Sequence, residues 1–272
     1  MDIETIRFLH ELNNRFYQEH GASFARTRGA AWHGWKRCLE VLQQEGLTSA
    51  SSAVQANKFA QRRNTLSVLD IASGNARFSD FLAAALPNTE INYFAVDNSV
   101  EMASGSEFQN LDVLELLIAG RGLPPTKPVD LCVSFGFMHH IPGQELRKAL
   151  LDLMLTTTKP NKFIVVSFWQ FLKSPELAGK AKMTHKQALE HLGSAPLYKD
   201  ANELQTALDV GDYFLGWQDK AQAYRYCHSF SEDEIGELIA AVTDKAKLIS
   251  HFSADGRTQN LNSYIVLQKS PD

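Results

Sequence analysis

Residues 66–78, LSVLDIASGNARF, constrain the fold more than any other stretch of the chain. An apolar run ending near Asp70 predicts a short buried strand, and Phe78 begins an apolar helix face beyond a turn of small residues. A strand that ends in an acid and turns through small residues lets a ligand approach the backbone and the start of the next helix. The stretch therefore predicts a ligand site at the carboxyl end of a parallel sheet.

Strand and helix patterns alternate through the rest of the chain. Strands are predicted at residues 91–97, 129–135 and 163–169, with a short one near 110–113, and apolar residues at helical spacing separate them. Two terminal strands, at 246–252 and 263–269, suit an antiparallel edge. We therefore expect an α/β, Rossmann-like fold: a seven-stranded, mostly parallel sheet with helices on both faces and an antiparallel last strand.

The first 65 residues are predicted to form an N-terminal helical lid and a linker, ahead of a main domain at 66–272. Residues 1–45 have helical apolar spacing, and residues 46–65 are small and polar. Between the helices, Arg28 and Trp32 are candidates to cover a ligand, with Arg28 binding an anion and Trp32 stacking. The alternative is that the tryptophan packs the helix onto the main domain and the arginine is solvated. Residues 172–222 lose the alternation and are predicted to be an excursion above the sheet.

Composition restricts the class of protein. The 272 residues carry a net charge of -4, which argues against a surface built for non-specific nucleic-acid binding but leaves a local basic face open. Three scattered cysteines give no disulfide framework and no CxxC pair, and the acidic N-terminus resembles no signal peptide. Without an apolar run of about 20 residues we expect no membrane span. The expectations are a cytoplasmic location and, from the spacing of His, Cys and acidic residues, no metal.

Three acids, Asp70, Asp97 and Asp112, end or follow three successive predicted strands. In such a sheet they meet at one edge, where the first can hold an ammonium, the second both ribose hydroxyls and the third an adenine amino group. This set fits S-adenosylmethionine. A dinucleotide fingerprint would need glycine at 72, 74 and 77, whereas Arg77 is too large for close packing and Asp70 would repel a pyrophosphate.

The predicted cofactor-binding residues share positions at or just beyond these strand ends. They are Asp70, Ala72, Gly74, Asn75, Asp97, Asn98, Asp112, Val113, Phe135 and His140. Of the pair His139-His140, which follows the fourth strand, either ring is a candidate base for a hydroxyl acceptor. The alternative is that one ring packs against the cofactor and the other bonds to the backbone.

The set of motifs resembles the class I methyltransferases. Their first motif has the form D-x-G-x-G-x-G, and residues 70–76 read D-I-A-S-G-N-A, with alanine for two glycines. A narrower resemblance, to the tRNA wobble-uridine (5-carboxymethyluridine) methyltransferases, rests on residues 24–32, 168–170, 225–230 and 264–269. It implies a methyl ester formed on tRNA and a small activator protein as a possible partner. The K-P-W that this family carries after Thr-Arg is replaced by residues 29–32, G-A-A-W.

A carboxylate acceptor is already ionised at neutral pH, so positioning against the sulfonium methyl suffices. Arg28 and Arg225 are the predicted clamps for that carboxylate, and His228 and His140 are predicted acceptor contacts. The alternative for Arg225 is a structural ion pair, and His228 has a structural alternative like that of the His139-His140 pair. Two alternatives stay open: a small-molecule O- or N-methyltransferase, and a non-catalytic cofactor-binding or scaffold domain.

Overall fold

The computed structural model describes residues 1–27, 29–48, 64–99, 108–124, 127–194 and 196–271. Its helices are α1 (Ile3–Arg26), α2 (His33–Gln44), α3 (Arg77–Ala85), α4 (Val113–Ile118), α5 (Gln144–Thr157), α6 (Pro175–Leu192), α7 (Ala201–Ala207) and α8 (Glu232–Ala240). Its strands are β1 (Asn64–Ile71), β2 (Thr89–Asp97), β3 (Phe108–Asn110), β4 (Val129–Ser134), β5 (Thr158–Trp169), β6 (Asp212–Trp217), β7 (Lys220–His228), β8 (Ala246–Ala254) and β9 (Asn262–Lys269).

Seven strands form one sheet in the order β3-β2-β1-β4-β5-β9-β8. The first five pair in parallel, and β9 runs antiparallel to both of its neighbours. The predicted fold class is thereby confirmed. The two terminal strands form the predicted antiparallel edge, and within it β9 lies between β5 and β8 while β8 is outermost. The reason is burial, because six consecutive residues of β9 are buried, whereas β8 carries exposed residues along its length.

Two apolar clusters cover the two faces of the sheet. Alternate residues of β1 point to opposite sides, so Leu69 and Ile71 join one cluster and Leu66 and Val68 the other. Helices α4, α5 and α8 cover the first face, and α2 and α3 cover the second. This double burial holds the carboxyl ends of β1, β2 and β4 in a fixed relation to one another.

The excursion predicted at residues 172–222 contains α6, α7 and a second, two-stranded antiparallel sheet, β6–β7, which extends it to His228. Its apolar side packs against α1, because Leu9 and Leu12 share a buried cluster with Phe214 and Tyr226. Helix α1 is therefore attached to the excursion, and the two together enclose one side of the sheet's carboxyl edge.

Two predicted boundaries are corrected. Strand β1 begins at Asn64, inside the predicted linker 46–65, most of which (49–63) lies outside the described residues. Strand β5 begins at Thr158, five residues early, because Asn161 adopts a left-handed φ of 59° and the register with β4 shifts between Val129 and Leu131. In the described part of the chain, no helix is long and apolar enough to cross a membrane.

Candidate cofactor and acceptor site

The turn after β1 has the left-handed backbone that its motif implies. Ala72, Gly74 and Ala76 have φ values of 59°, 56° and 52°. An L-residue in this region costs about 1–2 kcal/mol, so the two alanines hold a conformation that glycine would adopt without strain. The turn is held from beneath, since the Ser73 N–H donates to the Val96 carbonyl at 3.2 Å.

A cavity of about 700 Å³ opens above this turn. All ten predicted cofactor-binding residues line it, together with Trp32 and Arg225. Arg28 lies outside the described residues. The sequence reasoning missed other lining side chains, among them Tyr17, Phe24 and Trp169, because they come from distant segments that only folding brings together. Arg77 also lines the cavity, although the sequence analysis considered it only as an obstacle to dinucleotide binding.

Asp70 ends β1 beneath the cavity and is almost fully buried. It accepts a short hydrogen bond from the hydroxyl of Tyr93 on β2. Burial raises the pKa of Asp70 to about 7; the Tyr93 hydrogen bond opposes this shift, and the charge of Asp97 adds to it. The carboxyl therefore changes its charge close to neutral pH, and a cation in the cavity would favour its ionised form.

Asp97 ends β2 and has both carboxylate oxygens oriented by the backbone. Oδ2 accepts from the Gly74 N–H at 2.8 Å, and Oδ1 accepts from the Ser99 N–H at 2.8 Å. Burial raises its pKa, although these N–H donors act in the opposite direction. Each oxygen keeps a second lone pair, which is what two vicinal hydroxyl donors require.

Asp112 has more partners than the sequence indicated. It caps α4 through the Glu115 N–H at 3.0 Å, and its Oδ2 lies 3.1 Å from His10 Nε2 and 3.0 Å from Asn98 Nδ2. Burial acts to raise its pKa, but the hydrogen bonds from His10 and the Glu115 N–H outweigh it and hold the pKa at about 2. Asp112 thus stays ionised and also ties α1 to the sheet.

The residues present fit a nucleoside with a charged amino-acid tail. The carboxylates supply acceptors for an ammonium and hydroxyls, and the cavity volume lies in the range of small-molecule sites. The hydroxyl oxygen of Ser73 is buried in the turn and has no hydrogen-bond partner among the described residues. An orphaned polar atom in the wall of such a cavity is what a polar ligand would satisfy.

Arg225 also lines the cavity; it lies on β7 and is 5% exposed. Its guanidinium carbon lies 5.1 Å from the ring centre of Phe16, 5.2 Å from that of Phe24 and 5.7 Å from that of Trp217. Its Nε and Nη1 atoms are buried without a hydrogen-bond partner in the described chain. A buried cation with unsatisfied N–H groups on a cavity wall is suited to binding an anion.

His140 follows β4 and joins α1 to β7. Its Nδ1 lies 3.0 Å from the carbonyl oxygen of Tyr226, and its Nε2 lies 2.8 Å from the hydroxyl of Tyr17. A carbonyl can only accept, so we assign the ring proton to Nδ1, and Nε2 then accepts from Tyr17. The backbone bond is the one expected for a wall-forming histidine, and the orientation also presents a basic nitrogen near the cavity.

His139, His140 and Cys227 form a buried group whose potential ligand atoms lie within 4.8 Å of one another. Sequence spacing missed it because Cys227 is 87 residues from His140. Both ring nitrogens of His140 already have hydrogen-bond partners, Nδ1 the Tyr226 carbonyl and Nε2 the Tyr17 hydroxyl, so a metal bound through His140 would have to displace one of them. The expected absence of a metal stays a prediction.

His228 does not reach the cavity, contrary to the predicted acceptor contact. It is fully buried, with Nδ1 2.7 Å from Asp212 Oδ1 and Nε2 2.9 Å from Glu234 Oε1. Both ring nitrogens are therefore used by acids of β6 and α8. Arg147 lies 3.6 Å from the same Asp212 oxygen, so His228 belongs to a structural network behind the site.

Trp32 lines the cavity, and its role as a lid over a ligand stays a prediction. Its ring centre is 5.3 Å from that of Trp35, and its edge is so close to Gly136 that a side chain there would begin 3.3 Å away. Trp32 thus covers the end of β4 and packs its segment onto the main domain.

No family model matches the sequence, and no curated protein matches it. Solved structures do match. An S-adenosylmethionine-dependent methyltransferase from Methanosarcina mazei has a TM-score of 0.52 and 14% identity, over 76% of this chain and 94% of that one. Another, from Clostridium acetobutylicum, has a TM-score of 0.52 and 12% identity, over 94% and 98%.

A third structure, the DhpI-SAM-HEP complex, has a TM-score of 0.54 and 14% identity, over 95% of this chain and 97% of that one. At these identities the likeness concerns the fold alone. The chain has the fold of the S-adenosylmethionine-dependent methyltransferases.

Proposed function

We propose that the protein is an S-adenosylmethionine-dependent methyltransferase. The observation that carries this proposal is the convergence of Asp70, Asp97 and Asp112 with the left-handed turn on one cavity of this fold. Asp70 would hold the cofactor's ammonium and Asp97 its ribose hydroxyls. Asp112 stays the candidate for the adenine amino group, through the lone pair of Oδ1 that its capping bond leaves free.

The acceptor group we propose is a carboxylate held by Arg225. Bound S-adenosylmethionine supplies a methyl group made electrophilic by a positively charged sulfur. The chain's own contribution is to orient the acceptor and exclude water. Phe16, Phe24 and Trp217 prevent Arg225 from turning away, so its N–H groups can fix one side of a carboxylate and leave a lone pair for attack.

For the molecule that carries this carboxylate, we propose 5-carboxymethyluridine at the wobble position of tRNA, with a small-molecule acid as the alternative. The support for tRNA is the order of the four short sequence resemblances. Mass spectrometry of tRNA nucleosides from a strain that lacks the gene tests it: the methyl ester should disappear. An unchanged ester level would exclude the tRNA acceptor and leave the small acid.

A second candidate, methylation of a hydroxyl or amine, is favoured by the hydrogen-bond chain from Tyr17 through His140 to the Tyr226 carbonyl. Such an acceptor must lose a proton, and His140 Nε2 is the basic atom for it. His140→Gln separates the two: it should reduce kcat by about 100-fold or more if His140 is a base. If the acceptor is a carboxylate, which has no proton to lose, the same substitution should reduce kcat far less.

Calorimetry with S-adenosylmethionine and S-adenosylhomocysteine tests the cofactor assignment itself. The wild type should bind both, and Asp97→Asn should weaken both about 10-fold or more, the value of one charged hydrogen bond. Asp152→Asn, which changes an exposed acid on α5, is the matched control and should bind normally. A wild type that binds neither would overturn the proposal and favour the non-catalytic domain.

A further inference from the structure

Arg77 stands between the cofactor turn and the segment that covers it. It is the first residue of α3 and lines the cavity. Its Nε donates to Asn75 Oδ1 at 3.1 Å, and its Nη1 donates to the carbonyl of Ala30 at 2.7 Å. These two bonds, to a side-chain amide oxygen and a backbone carbonyl, hold the guanidinium between the turn and Ala30.

Residues 29–32, which we call the lid segment, are held at both ends. Arg77 binds Ala30, and its guanidinium carbon lies 5.8 Å from the ring centre of Trp32. Beyond the other end, the Gly34 N–H donates to Asp255 Oδ1 at 3.1 Å. A Cβ on Gly34 would lie 2.2 Å from the Tyr264 ring, so α2 approaches β9 as closely as a backbone can. The fixed end is therefore at Gly34, and Arg77 holds the exposed end.

The charges around the turn match those of an amino-acid tail. Asp70 precedes the turn and Arg77 follows it, so an acid and a base flank residues 72–76. Among the described lining residues the arginines are Arg77 and Arg225, and Arg225 belongs to β7, where it lies between aromatic rings, whereas Arg77 follows the turn directly. Arg77 is thus the arginine beside the place where the tail's ammonium would lie.

We propose that the Arg77 guanidinium binds the carboxylate of the cofactor's methionyl tail and, through Ala30, couples cofactor binding to the position of the lid segment. This inference rests on the proposed cofactor. The two charges of the tail are then bound at the two ends of one turn: Asp70, before the turn, binds the ammonium, and Arg77, after it, binds the carboxylate. It also explains why a long cationic side chain stands where tight helix packing would favour a small residue.

The test compares two ligands that differ in one group. S-adenosylhomocysteine carries the carboxylate, and 5′-(3-aminopropylthio)-5′-deoxyadenosine keeps the ammonium but lacks the carboxylate. Calorimetry should show Arg77→Gln binding S-adenosylhomocysteine about 10- to 100-fold more weakly than the wild type, the range for one charged hydrogen bond. The affinity for the decarboxylated ligand should differ less than about twofold between Arg77→Gln and the wild type, because this ligand has no carboxylate for Arg77 to bind.

Arg37→Gln is the matched control, because Arg37 is an exposed arginine of α2 that stacks on Phe252 outside the cavity lining. It should leave both affinities unchanged. For the lid, amide hydrogen exchange at residues 30–34 should slow when S-adenosylhomocysteine binds the wild type. It should not slow with the decarboxylated ligand, nor in Arg77→Gln.

An equal loss for both ligands, or none for either, would overturn the inference while leaving the cofactor proposal intact. A wild type that binds neither ligand would instead overturn the proposed function, and this inference with it. If the thermal melt shows that Arg77→Gln does not fold, the same two affinities are measured with Arg77→Lys instead. It keeps the charge without the planar fork and should still discriminate between the ligands, though less than the wild type.

Discussion

Asn13 and Tyr226 exchange two hydrogen bonds across 213 residues of sequence. The Tyr226 N–H donates to Asn13 Oδ1 at 2.7 Å, and Asn13 Nδ2 donates to the Tyr226 carbonyl at 3.2 Å. A side-chain amide on α1 thus does for β7 what a neighbouring strand would do. Because the same carbonyl meets His140 Nδ1, this pair sets the position of α1, β7 and the end of β4 relative to one another.

Replacing Asn13 should therefore weaken the attachment of α1 to β7 and lower the stability of the protein. In Asn13→Ala the buried Tyr226 N–H loses its acceptor, and we expect the free energy of unfolding to fall by about 2–3 kcal/mol. Urea unfolding measures this. Asn202→Ala, an exposed position on α7, should change it by less than about 0.5 kcal/mol. Equal effects of the two substitutions would contradict the role given to Asn13.

The affinity for S-adenosylhomocysteine should depend on pH through Asp70. With its pKa raised to about 7, Asp70 must lose a proton to hold the ammonium, so affinity should increase from pH 5.5 to about 7 and then level off. Calorimetry over pH 5.5–8.5 measures it. Asp70→Asn should flatten the profile, and a slope identical to that of the wild type would assign it to another group.

The same group gives stability the opposite pH dependence. The pKa of Asp70 is higher in the folded, ligand-free protein than the value of 3.8 for the free side chain. The folded state therefore binds the proton more tightly. Its contribution to stability is fully present below about pH 4 and is lost as the pH increases through 7. The melting temperatures of the wild type and Asp70→Asn should therefore depend differently on pH, mainly between about pH 4 and 7.

The protein should be less stable with alanine than with glycine at positions 72 and 76 of the turn. At φ of 59° and 52°, Ala72→Gly and Ala76→Gly relieve strain, and we expect each to raise the free energy of unfolding by up to about 1 kcal/mol. Ala84→Gly, at an exposed position inside α3, should lower it by about 1 kcal/mol. Urea unfolding of the three variants measures the signs, and a loss at all three positions would refute the strain.

Arg225 should contribute to acceptor binding at some expense of stability. Arg225→Met keeps most of the apolar stem between Phe16 and Trp217 but removes a buried charge, so the melting temperature should stay level or increase. Affinity for S-adenosylhomocysteine should be unchanged, while kcat/KM for a carboxylate acceptor should fall by about 100-fold. A kcat/KM of Arg225→Met similar to that of the wild type would mean that Arg225 does not hold the acceptor.

The cofactor half of the site was largely predictable from local sequence. Asp70, Gly74 and Asp97 stand at the ends of strands, and a parallel sheet brings strand ends to one edge whatever surrounds them. The left-handed turn was implied by the resemblance to the class I methyltransferases, whose first motif has glycine at the positions of Ala72, Gly74 and Ala76. These inferences depend on neighbours within a few residues and on a general rule of sheet topology.

The acceptor half was not predictable to the same degree. The sequence identified Arg225 only through a resemblance, and it assigned His228 a contact that the structure gives to Asp212 and Glu234. The partner of Asp70, Tyr93, and the anchors of Asp112 on α1 were not visible either. Each of these pairings joins segments that are distant along the chain, so no local pattern encodes it.

The sequence by itself thus determined the strand–turn–helix unit at residues 66–78, the three acids Asp70, Asp97 and Asp112 at successive strand ends, and the parallel sheet that gathers them. These follow from apolar periodicity and backbone preference, which act over short distances. Only the tertiary structure decided that β9 lies between β5 and β8, that α1 packs on β7, and that three rings, two from α1 and one from β6, enclose Arg225. Those arrangements depend on burying particular surfaces against each other, and that free energy is defined only once the whole chain has folded.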